Sequence, residues 1–338
     1  MRRARDAHGR GCAGLRRRGA GPQAAEHQRQ FGADEADRDD FADLRQAGDA
    51  VAAAGRGDQY RRPQRHVERG EPYLHTAATV RVTAVGDRGQ MQRAEAADLG
   101  PLSFVQISDS HIGFNKAANM DVPGTVKAAM DRIRMLPQAP AFMLHTGDIS
   151  HLSKPDEFDL ADQLLGEARL QAFYVPGEHD MLVDEGGAYR ERYGKGSQGA
   201  GWYSFDQHGV HFIGLVNVVD LKAGGLGQLG TDQLEWLEDD LAGRSAETPI
   251  VVFAHIPLWS VYPDWGWGTS DAEQALTYLK RFGSVTILNG HIHQVMQKVE
   301  GNVTFHTAMS MAFPQPKPGE AASPGRATWR VWSDRAPV

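Results

Sequence analysis

Lysine, isoleucine and tryptophan are absent from residues 1–100, where 18 arginines stand beside only 11 residues of Leu, Ile, Val and Phe together. So little bulky apolar side chain cannot offset the entropy lost on ordering, which excludes a hydrophobic core from that stretch. The chain of 338 residues has one cysteine, Cys12. A lone cysteine excludes a disulfide framework and a cysteine-based zinc site. No run of eighteen apolar residues occurs, so no membrane span is expected. The basic start MRRAR is followed by no apolar stretch, so no secretory leader is expected in the sequence as written. The expected compartment is cytoplasmic as written, or exported and periplasmic if the true amino terminus is missing.

Charge divides at the same place. Residues 1–100 carry 18 basic and 15 acidic side chains, a net of +3, whereas residues 101–338 carry 18 basic and 28 acidic ones, a net of -10. An acidic domain repels a polynucleotide backbone, so nucleic acid is not an expected partner. Arg, Ala, Gly, Asp and Pro have GC-rich codons, whereas Lys, Ile, Phe, Tyr and Asn have AT-rich ones. The first hundred residues are rich in the former set and poor in the latter. They read either as a disordered Arg-rich segment or as a GC-rich gene translated out of frame. The folded domain is expected over 101–318, with an irregular tail at 319–338.

From Ser103 onward strands and helices alternate. SFVQI (103–107), AFMLHT (141–146) and QAFYV (171–175) read as buried strands, with helical periodicity at 126–136 and 157–168 between them. That βαβαβ order implies parallel strands in one sheet. WYSFD (202–206) and GVHFIGLV (209–216) read as a hairpin, followed by a helix at 232–241 and the strand IVVFA (250–254). Ser270 and Glu273 have capping-box spacing at the start of a helix over 270–282. The strand VTILN (285–289) follows, and VMQKVE (295–300) and VTFHTA (303–308) join through Gly301-Asn302.

Five of these strands are followed at once by acidic or imidazole side chains. They are Ser108-Asp109-Ser110-His111, Gly147-Asp148, Gly177-Glu178-His179-Asp180, His255 and Gly290-His291-Ile292-His293. Taken singly, an aspartate after a strand is usually a turn former, and a lone histidine is usually structural. Five such coincidences in one chain require a common cause. Carboxyl ends of strands form the ligand crevice of α/β sheets, so these side chains can converge. Imidazole and carboxylate in this proportion suit Zn, Mn, Fe or Co, whereas all-oxygen sites suit Mg or Ca.

In these five blocks and their order, residues 103–310 resemble the calcineurin-like metallophosphoesterases. The resemblance implies a four-layer α/β/β/α sandwich, a fold of the α/β class. It also implies a dinuclear centre of two divalent or trivalent ions, Fe, Mn or Zn. Asp109, His111 and His293 would bind the first ion, Asp148 would bridge both, and Glu178, His255 and His291 would bind the second. His179 corresponds to the histidine that stabilises developing charge or protonates the leaving oxygen, and Asp180 could orient it or simply form a turn. The departure is Glu178, where the family usually has asparagine, and it adds one negative charge to the ligands.

Two metals about 3.5–4 Å apart hold a hydroxide and clamp an in-line displacement at phosphorus. The expected activity is therefore metal-dependent hydrolysis of a small phosphate ester, either a monoester or a diester. The alternative is a non-catalytic scaffold of the same fold. The frame-error reading of residues 1–100 has its own test. The coding DNA upstream of codon 100, translated in its other two frames, should carry a coherent protein sequence, and finding none overturns that reading.

Overall fold

A computed structural model describes residues 78–82, 102–219, 221 and 225–324. All of them belong to the second of two units into which the chain divides, residues 58–338. The rest of the Arg-rich segment and residues 325–338 lie outside the described residues, and so do the expectations placed on them.

The first sheet has four strands, β1 (Ala78–Val82), β2 (Leu102–Ile107), β3 (Met143–His145) and β4 (Ala172–Tyr174), in that order. The last three are parallel, as the βαβαβ reading requires, with α1 (Val122–Arg134) and α2 (Pro155–Gly166) in the connections. Pro155 is the first residue of α2, where its fixed φ suits the helix and its missing N–H is not needed. Strand β1 lies inside the segment set aside for lack of a core, and its backbone runs antiparallel to β2.

After the short helix α3 (Gly187–Tyr193) come β5 (Tyr203–Gln207) and β6 (Val210–Gly214), which form the expected antiparallel hairpin. Then follow α4 (Thr231–Ala242), β7 (Ile250–Phe253), α5 (Ala272–Leu279), β8 (Val285–Asn289), β9 (Met296–Glu300) and β10 (Val303–Thr307). This second sheet has the order β5-β6-β7-β8-β10-β9. The parallel strands β7, β8 and β10 lie side by side, and β9 returns antiparallel at the edge.

The side-chain alternation of each central strand serves two layers at once. In β2, Val105 and Ile107 pack with Val126, Met130 and Ile133 of α1 and Phe158 and Leu165 of α2. Phe104 of the same strand faces the other sheet, in a layer with Phe142, Phe212, Val251, Phe253 and Leu288. On the far side, Leu234 and Leu237 of α4 and Ala275 and Leu279 of α5 cover Ile213, Val252 and Ile287. The result is the α/β/β/α sandwich expected of the sequence.

One local expectation is corrected. Ser270 and Glu273 form no capping box; the residue before α5 is Asp271, whose side chain makes no cap bond either. The Asp271 carboxylate accepts instead from the Leu229 and Gly230 amides, and the Ser270 hydroxyl donates to the Gly227 carbonyl. Distant backbone groups outcompete the local pair.

The layer between the sheets rests on aromatic packing. The Phe212 ring meets Phe142 edge-on at 5.2 Å and stacks on Phe205 at 5.0 Å. Phe212→Ala should therefore cost about 3–5 kcal/mol. Urea unfolding should show a lower midpoint with an unchanged slope; a loss below about 1 kcal/mol would mean that the sheets do not depend on this layer.

Candidate metal centre

All five strand-end segments converge at one edge of the sandwich. Ser108 to His111 follow β2, Gly147-Asp148 follow β3, and Glu178 to Asp180 form a 3-10 turn after β4, all from the first sheet. His255 follows β7, and His291 and His293 follow β8, from the second. Backbone bonds lock the loops together: the Asp109 amide donates to the Gly147 carbonyl and the Gly290 amide to the His255 carbonyl, each at 2.9 Å.

The ligand candidates pay for this convergence in backbone conformation. Asp109, His111, Asp148, His291 and His293 all have positive φ, between 40° and 68°. Non-glycine residues adopt that left-handed region at a cost, and such residues cluster at functional sites. Gly147 takes φ 97°, which only glycine tolerates well.

Four overlapping groups among the described residues could hold an ion, and two of them divide the expected ligands between them. Asp109, His111, Asp148 and His293 offer ligand atoms within 4.8 Å of one another, and so do Glu178, His255 and His291. In the first, His293 Nε2 is 3.3 Å from Asp109 Oδ1 and 3.2 Å from His111 Nε2. In the second, His255 Nε2 is 3.0 Å from Glu178 Oε2, and His291 Nδ1 is 3.0 Å from Glu178 Oε1. Asp148 Oδ2 stands between them, 3.4 Å from His111 Nε2 and 3.3 Å from His255 Nε2. Ligand atoms about 2.0–2.2 Å from one ion lie about 3.0–3.5 Å from each other, so these spacings fit coordination spheres.

The chemistry of the donors fits a cation as well. His255 Nδ1 donates to the Thr146 carbonyl and His293 Nδ1 to the Phe313 carbonyl, each at 2.7 Å. Those bonds fix the tautomers and aim both Nε2 atoms into the centre. Glu178 Oε2, His255 Nε2 and His291 Nδ1 are buried there without a hydrogen-bond partner. Buried polar atoms left unpaired are costly, and here a bound cation would satisfy them.

Electrostatics agree. Burial raises the carboxyls of Asp109 and Glu178, but neighbouring histidines outweigh it and hold both below the usual range. Burial and the adjacent His179 and His293 push the His111 imidazole well down, which keeps it neutral. Burial also lowers His255, yet Asp148 and Glu178 overcome it and hold that imidazole well above its ordinary value. A site that raises an imidazole so strongly lacks positive charge, which a metal ion supplies in place of the proton.

His179 lies beside both groups. Its amide donates to Asp148 Oδ1 at 3.0 Å, and its Nδ1 donates to the His151 carbonyl at 2.6 Å. Asp180 does not orient this ring. Its buried carboxylate accepts from the amides of Ile149, Ser150 and Gly177 and from the Ser150 hydroxyl, which ties the β3 and β4 loops together. Burial, with Asp148 nearby, pushes its carboxyl up to about 6.

His151 was not anticipated from the sequence. Its ring stacks on His179 at 4.9 Å, and its Nδ1 is 3.4 Å from His111 Nδ1. The available signal was its place three residues after Asp148. The aromatic loop after His255 packs inward: Trp265 and Trp267 are buried with Ile292, beneath the Gly-His-Ile-His turn.

Residues 102–295 match the calcineurin-like phosphoesterases, and the chain belongs to that family. It is 25% identical over 219 residues to a 3',5'-cyclic-nucleotide phosphodiesterase of Nostoc sp., covering 61% of this chain and 76% of that protein. It is 24% identical over 202 residues to a glycerophosphodiester phosphodiesterase of Enterobacter lignolyticus, covering 57% and 71%. The fold resembles the crystal structure of a dimetal phosphatase from Danio rerio, with a TM-score of 0.51 at 14% identity over 64% of this chain and 89% of that one. The protein is accordingly a hydrolase acting on phosphoester bonds. Among the described residues no helix is long and apolar enough to cross a membrane.

Gly177 tests the centre without replacing a ligand. A methyl group there would overlap the carboxylate and the backbone amide of Asp148. Gly177→Ala should keep the circular dichroism of the parent and lose most of its metal, measured by elemental analysis after gel filtration. Full metal content in the variant would count against this placement of Asp148.

Proposed function

We propose that the protein is a metal-dependent phosphodiesterase with a dinuclear centre. Asp109, His111 and His293 would hold one ion, Glu178, His255 and His291 would hold the other, and Asp148, whose Oδ2 faces both groups, would serve the two together. The observation that carries this reading is the pair of donor groups set side by side with Asp148 Oδ2 facing both. When bound, two such ions supply a hydroxide nucleophile near neutral pH and neutralise the phosphate oxygens of an in-line displacement.

The chain's own residues do the rest. His179 is the general acid. Its Nδ1–H is committed to the His151 carbonyl, which leaves Nε2 to carry a proton to the leaving oxygen. Burial pulls this imidazole down, but Asp148, Glu178 and the His151 carbonyl outweigh it and raise it. Asp180 keeps the loops of Asp148 and His179 in register through its amide bonds.

A diester is the favoured substrate. The two relatives named above carry diester names, for cyclic nucleotides and glycerophosphodiesters.

With Mn supplied, the protein should hydrolyse bis(p-nitrophenyl) phosphate faster than p-nitrophenyl phosphate, and EDTA should abolish both activities. His179→Ala should lower kcat by about 10²–10⁴ with unchanged metal content. Absence of hydrolysis with Mn, Zn and Fe in turn, or a His179→Ala variant of full activity, would overturn the proposal.

A further inference from the structure

We propose that Phe313 is a positioning residue for the first donor group alone. Its ring and its carbonyl hold the imidazoles of His111 and His293 ready for an ion and leave the second group untouched. The proposal rests on the dinuclear reading above and adds a residue beyond 102–295, the stretch that matches the family.

After strand β10, residues 310–313 are stitched to the loop that follows β2. The Ser310 hydroxyl donates to the Asp109 carbonyl at 2.9 Å. The amides of Met311 and Ala312 donate to the carbonyls of Ser108 and Asp109, at 3.1 and 3.2 Å. Asn119 Nδ2 in turn donates to the Ala312 carbonyl at 2.8 Å. These bonds fix where Phe313 stands relative to Asp109 and His111.

Phe313 then meets both imidazoles of the group. Its carbonyl accepts from His293 Nδ1 at 2.7 Å, and its ring lies 4.7 Å from the His293 ring and 5.0 Å from that of His111. The Phe114 ring stacks on Phe313 at 4.2 Å and backs it. Aromatic pairs pack favourably at such separations. With both rings supported in this way, His111 Nε2 and His293 Nε2 stand 3.2 Å apart. An imidazole that is free to turn must be ordered as it binds, and a ring already held avoids that loss of affinity.

The second group is supported from elsewhere. His255 Nδ1 donates to the Thr146 carbonyl, the rings of His255 and His291 meet edge-on at 5.2 Å, and both face Glu178. Removing the Phe313 ring therefore disturbs one position and spares the other. The carbonyl that fixes the His293 tautomer belongs to the backbone and survives a substitution, so the ring is tested by itself.

The test loads the full chain with zinc and titrates it with a chromophoric zinc chelator, which reads the ions released per chain. The parent should hold two ions. In Phe313→Ala one of them should bind about 10–100-fold more weakly, the range for groups that orient a metal ligand, and the other should keep its parent affinity. Ligand variants assign the change. Added to His291→Ala, which keeps the first position, Phe313→Ala should weaken the remaining ion by that factor. Added to His111→Ala, which keeps the second, it should change nothing. Phe313→Leu retains apolar bulk without a planar face and should show the same selectivity; it is read instead if circular dichroism shows Phe313→Ala to be unfolded. Equal weakening of both ions, weakening of neither, or weakening confined to the His111→Ala background overturns the inference and leaves the dinuclear reading standing. Fewer than two ions in the parent overturns the dinuclear reading itself, and this inference with it.

Discussion

Three carboxylates and four imidazoles crowded at the end of a sandwich form an arrangement that no protein interior tolerates unaided. Each buried ionised group loses several kcal/mol of hydration unless opposite charge or hydrogen bonds replace the water. The surrounding loops are built around that demand. Thr146 and Phe313 supply carbonyls that fix the rings of His255 and His293. The His291 amide supports Asp109, and the amides of Ile149, Ser150 and Gly177 support Asp180. Five of the proposed ligands also hold left-handed backbone conformations, which persist only where neighbouring structure over-determines them.

The sandwich makes this crowding attainable. Each sheet delivers its parallel strands so that their carboxyl ends open on the same edge, and neither sheet has a complete donor set. The first group takes Asp109, His111 and Asp148 from one sheet and His293 from the other. The second takes Glu178 from the first sheet and His255 and His291 from the second. The aromatic layer of Phe104, Phe142 and Phe212 therefore does more than stabilise. It sets the spacing at which the two half-sites meet.

The centre was readable in the sequence because its ligands follow buried strands directly, so the apolar run that marks each strand also marks the position of the ligand. Asp109 after SFVQI and His255 after IVVFA are of this kind. What was not readable depends on distant partners. Asp180 stands next to His179, yet its carboxylate reaches back about thirty residues to Ile149 and Ser150. Ser270 and Glu273 have the spacing of a cap, yet Gly227 claims the Ser270 hydroxyl. Helix α3 spans only GAYRERY, too short for a periodic signal. Strand β1 sits in a segment whose composition gave no reason to look for sheet, and its pairing with β2 is a backbone matter.

The pairing of His111 with His293 spans 182 residues of chain. An ion held by these side chains would tie together two sheets that only the backbone joins covalently, in a polypeptide whose single cysteine, Cys12, cannot form an internal disulfide. It would act as a removable staple across the seam, stabilising the folded chain because the ion binds the assembled site and not the unfolded chain. The sandwich would then be most resistant to opening when loaded, and the availability of metal in its surroundings would govern its lifetime as well as its turnover.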